Sequence, residues 1–179
     1  MLKRGFLILL MAAAVAGCDD DSPTAPADPN VVVFTAQLSA ANEVPAVTNA
    51  ESTARGDVRI TFNLTRDTSN NITSGTATFV VNLNSFPAGS TWTLAHIHEG
   101  NSTVAGPVKV NTGLTVGTAV TLTNGTVSNH TFSNIAINTS GVADPARINA
   151  IIHNPANFYF NAHSLLNGGG AVRGQLVKQ

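Results

Sequence analysis

Apolar and polar residues alternate with a period close to two over most of the chain from residue 31 onward, as in strands with one buried face. In residues 57–64 every second side chain is apolar, namely Val58, Ile60, Phe62 and Leu64. The cluster Asp-Thr-Ser-Asn-Asn at residues 67–71 is typical of a turn, and the strand pattern resumes at residue 72. Residues 54–83 are therefore predicted to form a long β-hairpin.

Several further segments have the composition of short strands, and one segment has that of a helix. The additional strands are predicted at residues 91–98, 108–110, 115–122, 158–163 and 171–177. The helix is predicted at residues 145–152, where Asp144 can cap the N-terminus and Pro145 fits the first turn. This pattern predicts an all-β protein, an antiparallel β-sandwich or barrel of the immunoglobulin-like kind, with one short helix.

The composition supports a sheet protein and argues against nucleic-acid binding. Charged residues make up only 11% of the chain, against about 25% in typical soluble domains, while 43% of the residues are hydrophobic. Nine basic and ten acidic residues give a formal net charge of −1, and the basic residues form no patch along the sequence. Nucleic acid is therefore not expected as a partner.

The N-terminus has the three parts of a secretory signal peptide, which is predicted for residues 1–17. Two basic residues precede an apolar stretch at residues 6–15, which is too short to span a bilayer as a helix. The run Val-Ala-Gly-Cys at residues 15–18 resembles a bacterial lipobox, and this resemblance implies cleavage before Cys18 and lipidation of its thiol. A plain signal peptide with an incidental cysteine is the alternative.

Cys18 is the only cysteine of the chain, so no internal disulfide can form. Residues 18–30 contain several prolines and acidic residues and no large apolar side chain, as expected of a flexible linker. We therefore predict a membrane-anchored lipoprotein outside the cytoplasm, in the periplasm or at the cell surface, with one domain at residues 31–179. Asp19 resembles an inner-membrane retention signal of enterobacteria, but this rule varies between bacteria, which leaves both membranes open.

Three of the five histidines are candidate metal ligands. His96 and His98 are two residues apart in a predicted strand, so their side chains share a face, with Cα atoms about 6.6 Å apart. His163 lies in another predicted strand and can approach them across a sheet. A stable zinc or copper site needs at least three protein ligands, and these three imidazoles could supply them.

The same three rings could instead form a structural hydrogen-bond cluster, because imidazole both donates and accepts. His153 falls at the end of the predicted helix, where a histidine commonly interacts with exposed carbonyl groups. His130 follows a turn signal at residues 124–125 and is expected to be exposed.

Arg173 follows three glycines at residues 168–170 and lies in a predicted strand between small residues. An arginine in this position can clamp an anion, or it can bridge carbonyl groups or a carboxylate such as Glu43 or Glu99. We favour the structural role.

Several motifs of the chain together resemble those of the CHRD (chordin-type) domain family. Residues 36–45 resemble the opening pattern of the family, and residues 95–98 match its central His-Ile-His motif. Residues 158–164 resemble its Tyr-x-Asn-x-His-Thr motif, and residues 173–176 match its closing Arg-Gly-Gln-Leu. The motifs occur in the order found in the family and extend over about residues 33–177.

This resemblance implies that residues 31–179 form a CHRD domain. It also implies structural roles for the motif residues Glu43, Pro45, Gly174 and Gln175. The chain departs from the family pattern at Ala171, where the family usually has a glutamate. Chordin itself is a secreted antagonist of growth factors, so the resemblance implies an extracytoplasmic protein as partner.

A second resemblance is to the copper/zinc superoxide dismutases, which are also β-sandwiches. Residues 96–100 are similar to their His-Val-His-Glu segment, and residues 168–173 to their Gly-Gly-Gly-Ala-Arg turn, whose arginine guides the anion. Those enzymes use six histidines and an aspartate for copper and zinc, together with a disulfide. Five histidines and one cysteine cannot supply that set, so this resemblance implies at most a copper-only or three-histidine site.

The leading hypothesis is a non-enzymatic binding or structural module at the membrane surface, in which the three histidines are a candidate site for copper or zinc. The competing hypothesis is a copper-dependent metalloenzyme of the superoxide dismutase type. Carbohydrate binding is disfavoured because Trp92 and Tyr159 are the only tryptophan and tyrosine available for stacking on a sugar.

Overall fold

The computed structural model of the protein describes residues 28–140 and 143–179. The predicted signal peptide, Cys18 and residues 18–27 of the predicted linker lie outside the described residues. Within the described ranges, no helix is both long enough and apolar enough to cross a membrane.

The described strands form one antiparallel sheet that curls into a half-barrel. The strands are β1 (Val31–Ser39), β2 (Arg55–Arg66), β3 (Ile72–Asn84), β4 (Thr91–Glu99), β5 (Val108–Asn111), β6 (Val120–Thr121), β7 (Val127–Ile137), β8 (Phe158–Ser164), β9 (Val172–Gln175) and β10 (Val177–Lys178). Their order across the sheet is β5-β4-β8-β9-β1-β2-β3-β7, with β10 beside β1 and β6 beside β4. The predicted all-β, antiparallel class is therefore confirmed.

The predicted hairpin at residues 54–83 is confirmed by β2 and β3, which pair along nearly their whole length. The apolar side chains of the alternating pattern in β2 are all buried. They pack with the inward face of β1, where the rings of Phe34 and Phe62 lie 5.7 Å apart. The alternation thus places these strands on one hydrophobic core, which supplies most of the driving force for folding.

The predicted helix is confirmed as α1 (Pro145–His153). Asp144 caps it, because its Oδ1 accepts a hydrogen bond of 2.9 Å from the backbone N–H of Arg147. Ile148 and Ile151 of α1 are buried against the sheet core. Short 3₁₀ turns occupy Ala40–Asn42, Val116–Thr118 and Pro155–Asn157.

The predicted strand at residues 115–122 is wrong over most of its length. Val116–Thr118 form a 3₁₀ turn, and only the two residues of β6 belong to the sheet. The hydroxyl of Thr118 accepts a hydrogen bond from the backbone N–H of Thr115 at 3.1 Å, which closes the turn. A local side-chain hydrogen bond therefore outweighs the strand propensity of valine and threonine here.

The sequence did not predict strand β7, and the expectation that His130 of this strand is exposed is wrong. Asn129 and Asn134 of β7 have φ angles of 53° and 58°, and the pairing of β7 with β3 shifts register nearby. These irregularities disrupt the period of two from which strands are recognised. His130 is half-buried rather than exposed, because its ring packs 5.2 Å from that of Trp92.

The predicted strand at residues 171–177 divides into two short strands with different neighbours. β9 pairs with β8, whereas β10 pairs with β1, and the buried Leu176 lies between them. The position of β9 beside β8 brings Arg173 opposite Asn161. This register places Arg173 and Gln175 of the closing motif on the face that carries the histidines.

Candidate metal centre

Adjacent strands β4 and β8 carry three histidines on one face of the sheet. His96 of β4 lies opposite Asn161 of β8, and His163 follows two residues further along β8. Ile97 points to the opposite face and is fully buried in the core. Because side chains alternate along a strand, His96, His98 and His163 project together, as the sequence predicted.

The three imidazoles form a compact, buried cluster. Their ring centroids are 5.1 Å apart for His96 and His163, 5.5 Å for His96 and His98, and 5.8 Å for His98 and His163. One potential ligand nitrogen from each ring lies within 4.8 Å of the others. The residues are only 6–8% exposed, so the cluster lies just beneath the surface.

Backbone carbonyl groups determine which nitrogen of two rings carries the proton. Nδ1 of His98 lies 2.9 Å from the carbonyl oxygen of Gly106, and Nδ1 of His163 lies 3.0 Å from that of Gly168. A carbonyl oxygen only accepts hydrogen bonds, so both Nδ1 atoms are the donors and both Nε2 atoms carry a free electron pair. This outer hydrogen bond to a carbonyl is the usual partner of a metal-ligating histidine.

The free nitrogens fit a metal ion in two respects. Nε2 of His98 is buried and has no hydrogen-bond partner among the described residues. Nε2 of His163 lies 3.2 Å from Nδ1 of His96, and a tetrahedral zinc ion with bonds of about 2.0–2.1 Å would hold two nitrogens about 3.3 Å apart. Imidazole suits copper as well as zinc, so the donor set fits either ion.

The electrostatics of the cluster favour neutral imidazoles. Burial, together with the neighbouring rings of His163 and His98, lowers the pKa of His96 from 6.5 to about 4. Burial also lowers the pKa of His98 and of His163, although their hydrogen bonds to carbonyl groups partly offset it. At neutral pH all three rings are therefore uncharged and their electron pairs are available to a cation.

A stack of side chains supports His98 from the side of β8 and β9. The ring of Tyr159 lies 5.0 Å from that of His98 at an interplanar angle of 13°, and the guanidinium carbon of Arg173 lies 3.5 Å from the centre of the Tyr159 ring. The Tyr159 hydroxyl accepts a hydrogen bond from the backbone N–H of Gly106. Gly106 thus joins the stack to the carbonyl that orients His98.

Arg173 bridges backbone carbonyl groups, which is one of the structural roles that the sequence allows for it. It is 1% exposed and donates hydrogen bonds to the carbonyl oxygens of Val104 at 3.0 Å and Asn101 at 2.6 Å. Within the described part of the chain it forms no ion pair with Glu43, and Glu99 pairs instead with Lys109 at 2.6 Å. The guanidinium therefore holds the loop that leads to Gly106, whose carbonyl oxygen contacts His98.

Glu43 and Asn161 form a buried polar pair beside the cluster. The side-chain N–H₂ of Asn161 donates to both carboxylate oxygens of Glu43 at 3.3 Å. Burial raises the pKa of Glu43 to about 7, with Arg173 and Asn161 partly offsetting it. The sequence identified Glu43 only as a motif residue, because no local pattern shows its pairing with β8.

The other motif residues have structural contacts. A Cβ atom on Gly174 would lie 2.1 Å from the carbonyl oxygen of Gln37, so β9 can approach β1 only with glycine there. The side-chain N–H₂ of Gln175 donates to the carbonyl oxygens of Gly100 at 3.0 Å and Ala156 at 2.7 Å. Pro45 follows a cis peptide bond in the segment after β1.

Sequence reasoning missed Glu51, which is 1% exposed. Its carboxylate accepts hydrogen bonds from the Ser164 hydroxyl and from the side-chain N–H₂ of Asn167, the latter at 2.6 Å. Both donors flank the turn that presents the carbonyl of Gly168 to His163. Glu51 thereby supports a histidine from a distant loop.

The remaining two histidines lie outside the cluster. His153 ends α1, and its Nδ1 lies 2.8 Å from the carbonyl oxygen of Asn149, in line with the contact expected at a helix end. His130 packs against Trp92 and Phe132. In the ranges that the structure describes, no other histidine, cysteine or acidic residue joins the group of three.

Comparison with known proteins gives one match. The family model of the CHRD domain matches residues 34–176, which include all of the residues discussed at the site. No curated protein and no solved structure matches the chain. The likeness to superoxide dismutases therefore stays a prediction that rests on the motifs alone.

Proposed function

Since the chain belongs to the CHRD domain family, we propose that it is a metal-binding, non-enzymatic module, held outside the cytoplasm by a lipid on Cys18. The ion is copper or zinc, and its ligands are His96, His98 and His163. The observation that carries the proposal is the arrangement of three buried, neutral imidazoles with one potential ligand nitrogen each within 4.8 Å.

A purely structural hydrogen-bond cluster explains this arrangement less well. Such a cluster would pair each buried ring nitrogen, because an unpaired buried polar atom costs about 1–3 kcal/mol. Nε2 of His98 has no partner in the part of the chain that the structure describes, although Nδ1 of the same ring is well bonded. A metal ion at this nitrogen removes the cost.

The surroundings of the cluster support a binding or structural role over the dismutase alternative. In a dismutase an arginine faces the incoming anion. Here two of the guanidinium nitrogens of Arg173 donate to backbone carbonyls, and the residue is 1% exposed. The partner of the module is an extracytoplasmic protein, a proposal supported by the likeness to the secreted chordin domains.

The lipid anchor rests on the order of the N-terminal features. A basic start, a short apolar stretch and the lipobox-like run ending at Cys18 precede a proline-containing linker. The first strand, β1, begins at Val31, thirteen residues after Cys18. A lipid at Cys18 would therefore keep the metal site close to a membrane surface.

The test uses the mature chain from residue 18 with Cys18→Ser, so that the protein is free of lipid. Zinc and copper binding are measured by titration calorimetry for this protein and for His96→Ala, His98→Ala and His163→Ala. We expect one ion per chain and a loss of affinity of at least about 100-fold in each variant, because removal of one of three ligands costs more than removal of an outer-sphere partner.

His153→Ala serves as the matched control, since it removes an exposed histidine outside the cluster. Its affinity should equal that of the parent protein. Failure of the parent protein to bind either ion would overturn the proposal. Superoxide consumption by the copper-loaded protein that His98→Ala abolishes would favour the dismutase alternative.

A further inference from the structure

Besides Nε2 of His98, a second buried polar atom on this face of the sheet lacks a hydrogen-bond partner among the described residues, namely Oδ1 of Asn161. The residue is 2% exposed, and its Oδ1 has no hydrogen-bond partner among the described residues. Buried side-chain oxygens of this kind are nearly always paired, with protein or with an ordered water. The atom therefore points to a donor that the described residues do not supply.

The position of Asn161 relates this oxygen to the histidines. Asn161 lies directly opposite His96 across the β4–β8 pair, and His163 follows two residues along the same face. On the other side lies Arg173, whose two terminal nitrogens donate to Asn101, Val104 and Gln175 instead. Asn161 therefore shares a face of the sheet with the three imidazoles.

Glu43 determines the orientation of the amide. Nδ2 of Asn161 lies 3.3 Å from both carboxyl oxygens of Glu43, so the N–H₂ group faces Glu43 and the amide oxygen faces away from it. Gly170, with a φ of 140°, makes room for this pair, because a Cβ atom there would lie 2.6 Å from both Asn161 Nδ2 and Glu43 Oε2. The amide is therefore held in one orientation from the side opposite the free oxygen.

We propose, on the basis of the proposed metal site, that the ion keeps a fourth position for an exchangeable water and that Asn161 Oδ1 accepts a hydrogen bond from that water. Three imidazoles leave a tetrahedral ion one ligand short, which is the arrangement of an open site. No fourth histidine, cysteine or acidic residue of the described ranges reaches the group. The ligand residues are 6–8% exposed, and the proposal requires that water and small anions reach this position from the nearby surface.

The proposal predicts a specific response to azide. Azide carries no proton to donate, so displacing the water breaks the hydrogen bond to Asn161. In Asn161→Leu this loss no longer occurs, and azide should bind about two- to tenfold more tightly than in the parent protein, the equivalent of one neutral hydrogen bond. General damage to the site would weaken azide binding instead.

The experiment uses the Cys18→Ser mature chain loaded with Co²⁺, whose visible absorption reports the coordination sphere. Azide is titrated into the parent protein, Asn161→Leu and the control Thr93→Val. Thr93 donates a buried hydrogen bond to the carbonyl of His163 at 3.2 Å, so the control removes a polar contact from the same strand pair. Its azide affinity should stay within about twofold of the parent value.

The outcomes separate this proposal from the metal site on which it rests. If Co²⁺ does not bind, the proposed function fails. If Co²⁺ binds but azide leaves the spectrum unchanged, the fourth position is closed and the present inference is overturned. If azide binds equally or more weakly in Asn161→Leu, the role of Asn161 is overturned.

A measurement on the unmutated site covers the case in which Asn161→Leu does not fold. In the Cu²⁺-loaded parent protein, electron–nuclear double resonance in D₂O should detect the strongly coupled deuterons of a copper-bound water beside the weakly coupled imidazole N–D groups. Excess azide should remove only these water deuterons. Their absence before azide is added would contradict an open, water-filled position.

Discussion

Nδ1 of His96 and Nε2 of His163 lie 3.2 Å apart, although the two residues are 67 positions apart in the sequence. Since His163 donates through Nδ1 to Gly168, its Nε2 accepts, and His96 is the donor of this hydrogen bond. For a metal ion to bind between the two atoms, the proton of His96 must move from Nδ1 to Nε2 of the same ring. The ion would then replace one hydrogen bond by two coordinate bonds at nearly the same separation. The site is thus close to its binding geometry before any ion enters, which lowers the cost of binding.

Metal binding should stabilise the fold. With free zinc at about 100 times its dissociation constant, the free energy of unfolding should rise by about 2.7 kcal/mol, because the unfolded chain lacks the preformed site. Urea unfolding with and without zinc measures this increase. It should disappear in His98→Ala and persist in His153→Ala, and an equal increase in both variants would argue for binding elsewhere.

The metal-free protein should lose stability as the pH falls from about 7 to about 4. The pKa of His96 is about 4 in the folded state against 6.5 in the unfolded chain, and those of His98 and His163 are also lowered. The unfolded chain therefore binds more protons on these rings across this range. The contribution of the neutral rings to the free energy of unfolding is complete only above pH 6.5, the pKa of histidine in the unfolded chain. The raised pKa of Glu43, about 7, acts with the opposite sign and offsets part of the loss.

Urea unfolding in the presence of a chelator at several pH values checks this dependence. In a variant with glutamine at all three cluster positions, the free energy of unfolding should depend less steeply on pH than in the parent protein. His153→Gln should leave the slope as it is, and an unchanged slope in the triple variant would assign the pH dependence to other groups.

Glu51→Ala should weaken zinc binding although Glu51 touches no histidine. The variant removes the acceptor shared by Ser164 and Asn167, so the turn that carries Gly168 is no longer held. We expect zinc affinity to fall about tenfold or more, as for other outer-sphere partners, and the free energy of unfolding to fall by about 1–3 kcal/mol.

Asp57→Ala is the control for Glu51, because Asp57 also accepts a side-chain hydrogen bond, from Asn82 at 2.9 Å, but lies on β2. Zinc affinity by calorimetry should be unchanged in this control. Equal affinities for Glu51→Ala and the parent protein would show that the turn holds without the carboxylate.

Gly174→Ala should destabilise the sheet. The added Cβ would meet the carbonyl oxygen of Gln37 at 2.1 Å, a contact that forces β9 and β1 apart. Overpacking of this kind typically costs about 1–3 kcal/mol. Gly169→Ala is the matched control, since nothing lies within 4 Å of a Cβ there, and denaturant unfolding should place it near the parent protein.

Cys18→Ser should release the protein from the membrane fraction. The lipid chains proposed at this residue provide the anchor, since each buried methylene contributes about 0.8 kcal/mol. Fractionation of expressing cells and labelling with a radioactive fatty acid measure both consequences. A labelled, membrane-bound Cys18→Ser protein would contradict the anchor.

Alternation along the chain was sufficient to predict β2 and β3, because these strands bury one side of a regular pattern. The capping residue Asp144 and Pro145 in the first turn were sufficient to predict α1. Alternation failed at β7, where Asn129 and Asn134 adopt positive φ angles and interrupt the period. It also failed at residues 115–122, where the hydrogen bond between Thr115 and Thr118 closes a turn. Both failures occur where backbone irregularities or local side-chain contacts outweigh the hydrophobic pattern.

The sequence by itself determined that His96 and His98 share a face, since residues two positions apart on a strand do so, and it selected His163 as their partner. Only the tertiary structure decided that β8 pairs with β4 in the register that brings His163 to them. It alone placed Asn161 beside Glu43, and Ser164 beside Glu51, across 118 and 113 residues of chain. Strand order and register arise from pairing between distant segments, and no local periodicity encodes which segments meet.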